Sequence, residues 1–393
     1  MSLYPRVYLA IDNCFASKRW TAPCDWARQV RQLGLGYVEA SADTEIDPLY
    51  TTPAYRQDWI EQVQRAEEET GIRVANLYSG HSTYTTLGLA HTDVRLRDHM
   101  QHRWLEVMAQ VAAELGAGLG FFCHAFPESV LQDGAAYAAA QSDLYDRLAQ
   151  VARYAAQLGI RYAGVEQMYT PHQIPWTIRG AEELLRQVYA RSGAPFYITI
   201  DTGHASGQRK FRRPCRRTLQ EALQRARQGE WPLDLWLGPQ TAYSILKRAG
   251  GEQQGDAEAA LDAIEGEMAR YPHLFAAASD GDPYAWLAAL APYSPIIHLQ
   301  QTPGDVSAHY PFTERYNTSG IIHGERVLRA IAAAYERPAP EGLPPRCEAL
   351  YLTLEVFSGT ADIPAQLLHA IRESVIYWRQ YIPADGLPLD ELL

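Results

Sequence analysis

Lysine is nearly absent. Lys18, Lys210 and Lys247 are the only three in 393 residues, and arginine carries the rest of the positive charge. A Schiff-base aldolase needs a lysine on a barrel strand, and these fall in loops or in a helical insertion, so that chemistry is set aside. Cysteine is scarce as well. The five (Cys14, Cys24, Cys123, Cys215, Cys347) are scattered, odd in number and never paired as CxxC. That excludes a disulfide framework or a thiolate zinc site and favours a reducing, cytoplasmic setting. Long apolar runs are missing: Val7 to Ile11 leads straight into Asp12, and no stretch nears the roughly 20 residues that span a bilayer, so no membrane partner is expected. Basic charge is also short. Against 46 acidic residues stand 35 basic ones, a net charge of −11, whereas a nucleic-acid partner demands clustered Lys and Arg. The hydrophobic share of 47% and charged share of 21% exclude a disordered chain, and the length allows a large core.

What is present is repetition. Short apolar, β-rich runs end in polar residues at Val7–Asp12, Tyr37–Ala40, Arg73–Tyr78, Gly118–His124, Arg161–Glu166, Phe196–Asp201, Pro295–Leu299 and Tyr351–Glu355. Amphipathic stretches separate them, several closing on a glycine just before the next strand (Gly34, Gly71, Gly116, Gly159, Gly193), as left-handed helix caps do. Continuous apolar strands alternating with helices imply a parallel sheet covered by helices. Eight such units predict a (β/α)₈ TIM barrel of the α/β class. An open doubly wound sheet is the alternative, but Asp12-Asn13-Cys14-Phe15-Ala16-Ser17 after the first strand is no glycine-rich phosphate loop. The spacing breaks once, between Asp201 and Ile296. Residues 206–290 are therefore read as a long, mostly helical insertion on the sixth βα loop of a single domain, 1–393. Its helical runs lie around Ala242–Lys247 and Glu258–Met268, with a joint at Gly250-Gly251 and Gln253-Gln254-Gly255.

Barrel active sites gather at the C-terminal ends of the strands. Strands five to eight end in Glu166, Asp201, His298 and Glu355. Three converging carboxylates repel unless a cation sits among them. Two Glu, one Asp and one His without thiolate suit one divalent ion of the Mn²⁺, Mg²⁺ or Co²⁺ kind, with Zn²⁺ a further option. In Asp201-Thr202-Gly203-His204 the glycine allows a turn that returns His204 over the ion, there to bind a substrate oxygen. His172, His81 and His124 are further candidates for the pocket, with a purely structural role weighed equally for each. The Arg-rich segment Arg209–Arg217 reads either as a solvated face of the insertion or as a lid in which Arg209 and Arg212 grip a substrate phosphate.

Glu166, Asp201 with His204, His298 and Glu355 resemble the sugar isomerase/epimerase superfamily with the xylose-isomerase-like barrel. Within it the chain is most similar to ketose 3-epimerases and to tetrulose- or erythrulose-phosphate epimerases. Asn13-Cys14-Phe15-Ala16 with Lys18-Arg19-Trp20 carries the second likeness. So do His298-Leu299-Gln300-Gln301-Thr302, Pro311-Phe312-Thr313 and Tyr316-Asn317. The resemblance covers nearly all of the chain outside the insertion. It implies that Glu166, Asp201, His298 and Glu355 bind the metal, that Glu166 and Glu355 also form the acid/base pair, and that the substrate is a sugar or sugar phosphate. Homo-oligomers are common among such barrels. Two positions depart from the allulose-forming epimerases, which carry a Glu where His172 stands and an Arg where Gly304 stands.

Epimerisation of a ketose or ketose phosphate through an enediolate is the expected activity; aldose–ketose isomerisation differs only in which carbon is reprotonated. An abasic-site endonuclease shares the barrel but needs an Asp-x-His motif after strand seven, where Gln300-Gln301-Thr302 stands, and a basic surface. A non-catalytic sugar-binding barrel is the last alternative, and both acid/base carboxylates argue against it.

Overall fold

Eight apolar runs become eight parallel strands in the computed structural model, which describes residues 3–80, 86–251 and 256–393. They are β1 (Arg6–Asp12), β2 (Tyr37–Ser41), β3 (Arg73–Ser79), β4 (Gly118–Phe121), β5 (Ala163–Glu166), β6 (Tyr197–Asp201), β7 (Ile296–Leu299) and β8 (Ala349–Leu354). β1 pairs in parallel with both β2 and β8, so the sheet closes into a barrel. Nearly every residue of β4 to β8 is buried on both faces, the reason these strands read as unbroken apolar runs. A two-residue β9 (Leu387–Pro388), too short for a sequence signal, pairs antiparallel with β1.

After each strand comes one principal barrel helix, in some cases with shorter or further helices beside it: Pro23–Gln32, Pro53–Thr70, Glu106–Glu114, Gly134–Gln157, Ile178–Ser192, Pro283–Leu290, Gly324–Glu336 and Pro364–Arg379. Their ends obey local chemistry. Thr52 and Thr177 accept the backbone N–H groups of Tyr55 and Gly180, and Gly71 and Gly193 close the same two helices at φ of 76° and 67°. The buried faces pack on the barrel in one continuous core, with Trp26, Trp59, Trp104, Trp286 and Trp378 among its largest side chains.

The excess after β6 packs differently. Helices Arg216–Arg227, Gln240–Gly250 and Ala257–Arg270 bury Leu219, Leu223, Leu246, Ile264 and Met268 in a cluster of their own. The last two match the expected helical runs; the first was hidden by arginines, although Leu219, Ala222 and Leu223 repeat at helical spacing. Pro283–Leu290, inside the expected 206–290 insertion, instead joins the barrel core through Trp286, Leu287 and Leu290 and serves as the sixth barrel helix. The joint at Gln253-Gln254-Gly255 and His81 lie outside the described residues. All five cysteines are free, and among the described residues no helix is long and apolar enough to cross a membrane.

Candidate metal centre

Adjacent strands deliver the four rim residues to one point. Asp201 and His298 are register partners on β6 and β7, Glu166 ends β5, and the Glu355 N–H donates to the Leu299 carbonyl one step past β8. One ligand atom from each of Glu166, Asp201, His298 and Glu355 lies within 4.8 Å of every other, and all four residues are buried. His298 Nδ1 stands 3.0 Å from Glu166 Oε1, 3.8 Å from Glu355 Oε1 and 4.0 Å from Asp201 Oδ2. Among the described residues, the only basic groups within 4.0 Å of these three carboxylates are histidines. Buried carboxylates without Lys or Arg fit a divalent cation, and Glu355 Oε2 is buried with no hydrogen bond of its own.

Burial opposes ionisation of all three acids. At Asp201 the charge of His204, the Glu355 hydrogen bond and the charges of His309 and His298 together outweigh it, and at Glu166 the His298 hydrogen bond with the charges of His204 and His298 does the same, holding both acids low. At Glu355 burial prevails over the pull of His298, with help from the charges of Asp201 and Glu166, and the acid is pushed well up. Burial also opposes charge on His298, yet Glu39 and Glu355 overcome it and raise the imidazole well above its usual value. Protons thus balance a cluster that a bound cation would balance instead.

His204 sits beside the quartet. Its Nδ1 donates to the Gln167 carbonyl at 2.6 Å, which leaves Nε2 facing Asp201 Oδ2 at 3.7 Å. The glycine before it serves close approach: a Cβ on Gly203 would lie 2.2 Å from the Gln300 side chain. That side chain donates to both Asp201 oxygens at 2.9 Å and orients them.

Several side chains at the site escaped sequence reasoning. Tyr78 on β3 donates to Glu166 Oε2. Glu39 on β2 accepts from His298 Nε2 at 2.7 Å. His309 groups with Asp201 and His204, its Nε2 3.3 Å from Glu355 Oε2, and its ring stacks on Phe357 with centroids 4.0 Å apart. An acidic residue inside the apolar run Tyr37-Val38-Glu39-Ala40 was a readable signal. His309 offered none, because a β7 loop closed by the Gln301–Tyr310 bridge carries it in.

Other predicted residues go elsewhere. His124 has its ring between Trp104 and Phe122, packed so close to residue 88 that only glycine fits there. His172 bonds the Phe126 carbonyl at 2.9 Å and faces Glu128 at 3.6 Å, partly exposed. Arg209 donates to the carbonyls of Gly281 at 2.8 Å and Gly304 at 2.5 Å, tying the insertion to the β7 loop. Arg212 reaches the Ala278 carbonyl at 3.2 Å.

A xylose isomerase-like TIM barrel model matches residues 27–227, just over half of the chain. The chain belongs to that family. Structural relatives extend the same barrel over nearly the whole length. One is a Rhodospirillum rubrum protein provisionally assigned as a xylose isomerase, at TM-score 0.68 and 16% identity over 95% of this chain and 99% of the other. Another is the D-psicose 3-epimerase of Clostridium cellulolyticum H10, at TM-score 0.55 and 12% identity over 95% and 98%. At these identities they show the fold alone. In sequence, the D-erythrulose 1-phosphate 3-epimerase of Brucella abortus is 32% identical over 111 residues, 28% of this chain and 32% of that protein. The match thus spans about a third of that relative's length.

Proposed function

We propose that this family member is a divalent-metal-dependent epimerase or isomerase of a ketose or ketose phosphate, working through an enediolate. The observation that carries the reading is the buried convergence of Glu166, Asp201, His298 and Glu355 with only histidines as basic neighbours. The stretch related to a D-erythrulose 1-phosphate 3-epimerase supports the substrate class.

Glu166, Asp201, His298 and Glu355 would hold the metal. When bound, it supplies Lewis-acid stabilisation of charge developing on the enediolate oxygens. The protein's own groups move the protons. Glu166 comes from the end of β5 and Glu355 from just past β8, with β6 and β7 between them, and in this reading each takes or returns a proton on one face of the substrate carbon. Removal on one face and return on the other inverts that carbon; return to its neighbour gives aldose–ketose isomerisation. Tyr78 holds Glu166 and Gln300 holds Asp201, so neither carboxylate must reorient during turnover. His204, with Nδ1 committed to a carbonyl, presents Nε2 to a substrate oxygen, and His309 offers a second imidazole beside Glu355. Because Arg209 is committed to two backbone carbonyls, its role in this reading is to brace the loop that carries His309.

The test is proton exchange. A panel of ketoses and ketose phosphates incubated in D₂O with Mn²⁺, Mg²⁺ or Co²⁺ is followed by NMR. Deuterium incorporation that stops on chelation and returns with metal is the expected outcome; binding without exchange in any member sinks the enzymatic reading.

A further inference from the structure

Glu39 is wholly buried in the middle of the barrel, although it belongs to neither the metal quartet nor the acid/base pair. Its two oxygens are both engaged. Oε2 accepts from His298 Nε2 at 2.7 Å, and Oε1 accepts from Asn76 Nδ2 at 2.6 Å. The backbone is shaped for this. Along β2 and β3, Val38 pairs with Val74 but Glu39 pairs with Asn76, so Ala75 is skipped in an irregularity between Val38 and Glu39. Bulges of this kind re-aim side chains beside functional sites. A carboxylate this deep is costly unless hydrogen-bonded on both oxygens, and the slip brings Asn76 level with it.

We propose that Glu39 is a positioning residue for the metal centre: by holding the Nε2–H of His298, it makes Nδ1 the nitrogen presented to Glu166, Asp201 and Glu355. An imidazole has two nitrogens, and the one that carries the proton cannot also bind a cation. With Nε2 committed to Glu39, the ring's tautomer and its rotation are both set, and Nδ1 is the atom that faces Glu166 Oε1 at 3.0 Å. Asn76 in turn holds Glu39. Tyr78 packs edge-on against the His298 ring, 5.4 Å between centroids and 86° between planes, and adds a second contact that fixes its orientation. The inference rests on the metal-centre reading above and extends it to a residue that touches neither metal nor substrate.

The experiment is a titration of Co²⁺ into metal-stripped protein, followed by calorimetry and by the visible absorption of bound cobalt. Glu39→Ala should weaken Co²⁺ about 10- to 100-fold, the usual cost of removing such an outer partner. Glu39→Gln keeps an oxygen that accepts from Nε2 once Asn76 turns its amide over, and should recover most of that loss. Folded Glu39→Ala with natural affinity, or an equal loss in both variants, overturns the proposal. Should Glu39→Ala not fold, the cobalt-loaded natural protein decides by proton NMR. A slowly exchanging, hyperfine-shifted N–H of His298 is expected, and its absence is the overturning result. Natural protein that binds Co²⁺ as described but exchanges no ketose proton leaves this inference standing and removes the epimerase reading alone.

Discussion

The barrel and its helical insertion bury apolar side chains alike but place their charges in opposite ways. In the insertion the charges stay at the surface. Arg216 meets Glu258, Asp262 and Glu265, aligned along one face of Ala257–Arg270, at 2.6 Å each, while Leu219, Leu223, Ile264 and Met268 form an apolar core. In the barrel the charges are drawn inside. Glu39, Glu166, Asp201, His298 and Glu355 are all buried at or near strand ends, and their partners are histidines, amides and a phenol. Exposed ion pairs cost little to make and contribute little. Buried carboxylates without Lys or Arg cost several kcal/mol each and persist when something other than stability requires them. Charge placement thus separates a packing unit from a reactive one within one chain.

The contrast is open to attack, first at its strongest point. Glu166→Gln and Glu355→Gln should each lower kcat about 10²- to 10⁴-fold, the range for loss of a general acid or base. Deuterium exchange into the substrate, measured alongside turnover, should fall in parallel; full exchange in either variant means that carboxylate moves no proton. Met268→Ala probes the other region. It should cost about 2–5 kcal/mol of stability by opening a cavity in the small helical core, read by denaturant unfolding. The Kd for Mn²⁺ should hold, and a large change there would mean that the two regions are one unit after all.

Acidity supplies the third probe. In the proposed centre the carboxylates would bind either protons or metal, and among the three Glu355, held well above its ordinary range by burial, takes a proton first as pH falls. Mn²⁺ affinity should therefore drop toward acid pH by about tenfold per pH unit for each proton displaced, measured by calorimetry between about pH 8 and about pH 6. An affinity flat with pH contradicts a carboxylate site. Smallest of all, Arg216→Ala should change stability by no more than about 1 kcal/mol and leave turnover untouched. A drop in turnover would tie the insertion's surface charges to the site.

Much of this was legible in the residues. Each strand's apolar run stops at a polar side chain, so the rim residues Glu166, Asp201, His298 and Glu355 stood at predictable places. Glu39 was legible in principle, as an acid within a run that the barrel buries on both faces, but it lies inside the run Tyr37–Ala40 and not at its polar end. Tyr78 closes the run Arg73–Tyr78, and nothing in the sequence marks its hydroxyl as the partner of Glu166. The placement of His309, the packing of His124 between aromatic rings and the partly exposed position of His172 were out of reach, since loops after β4, β5 and β7 decide them. The arginine-rich face concealed the first helix of the insertion because charge outnumbers the leucines there.

The order of apolar runs and glycine stops determined the barrel by itself, since local conformation and burial on both faces are properties of short segments. Which nitrogen of His298 faces the carboxylates, which amide holds Asp201 and which imidazole reaches Glu355 were decided only when the sheet closed. Those contacts join residues 259, 99 and 46 positions apart, and no short segment contains both ends.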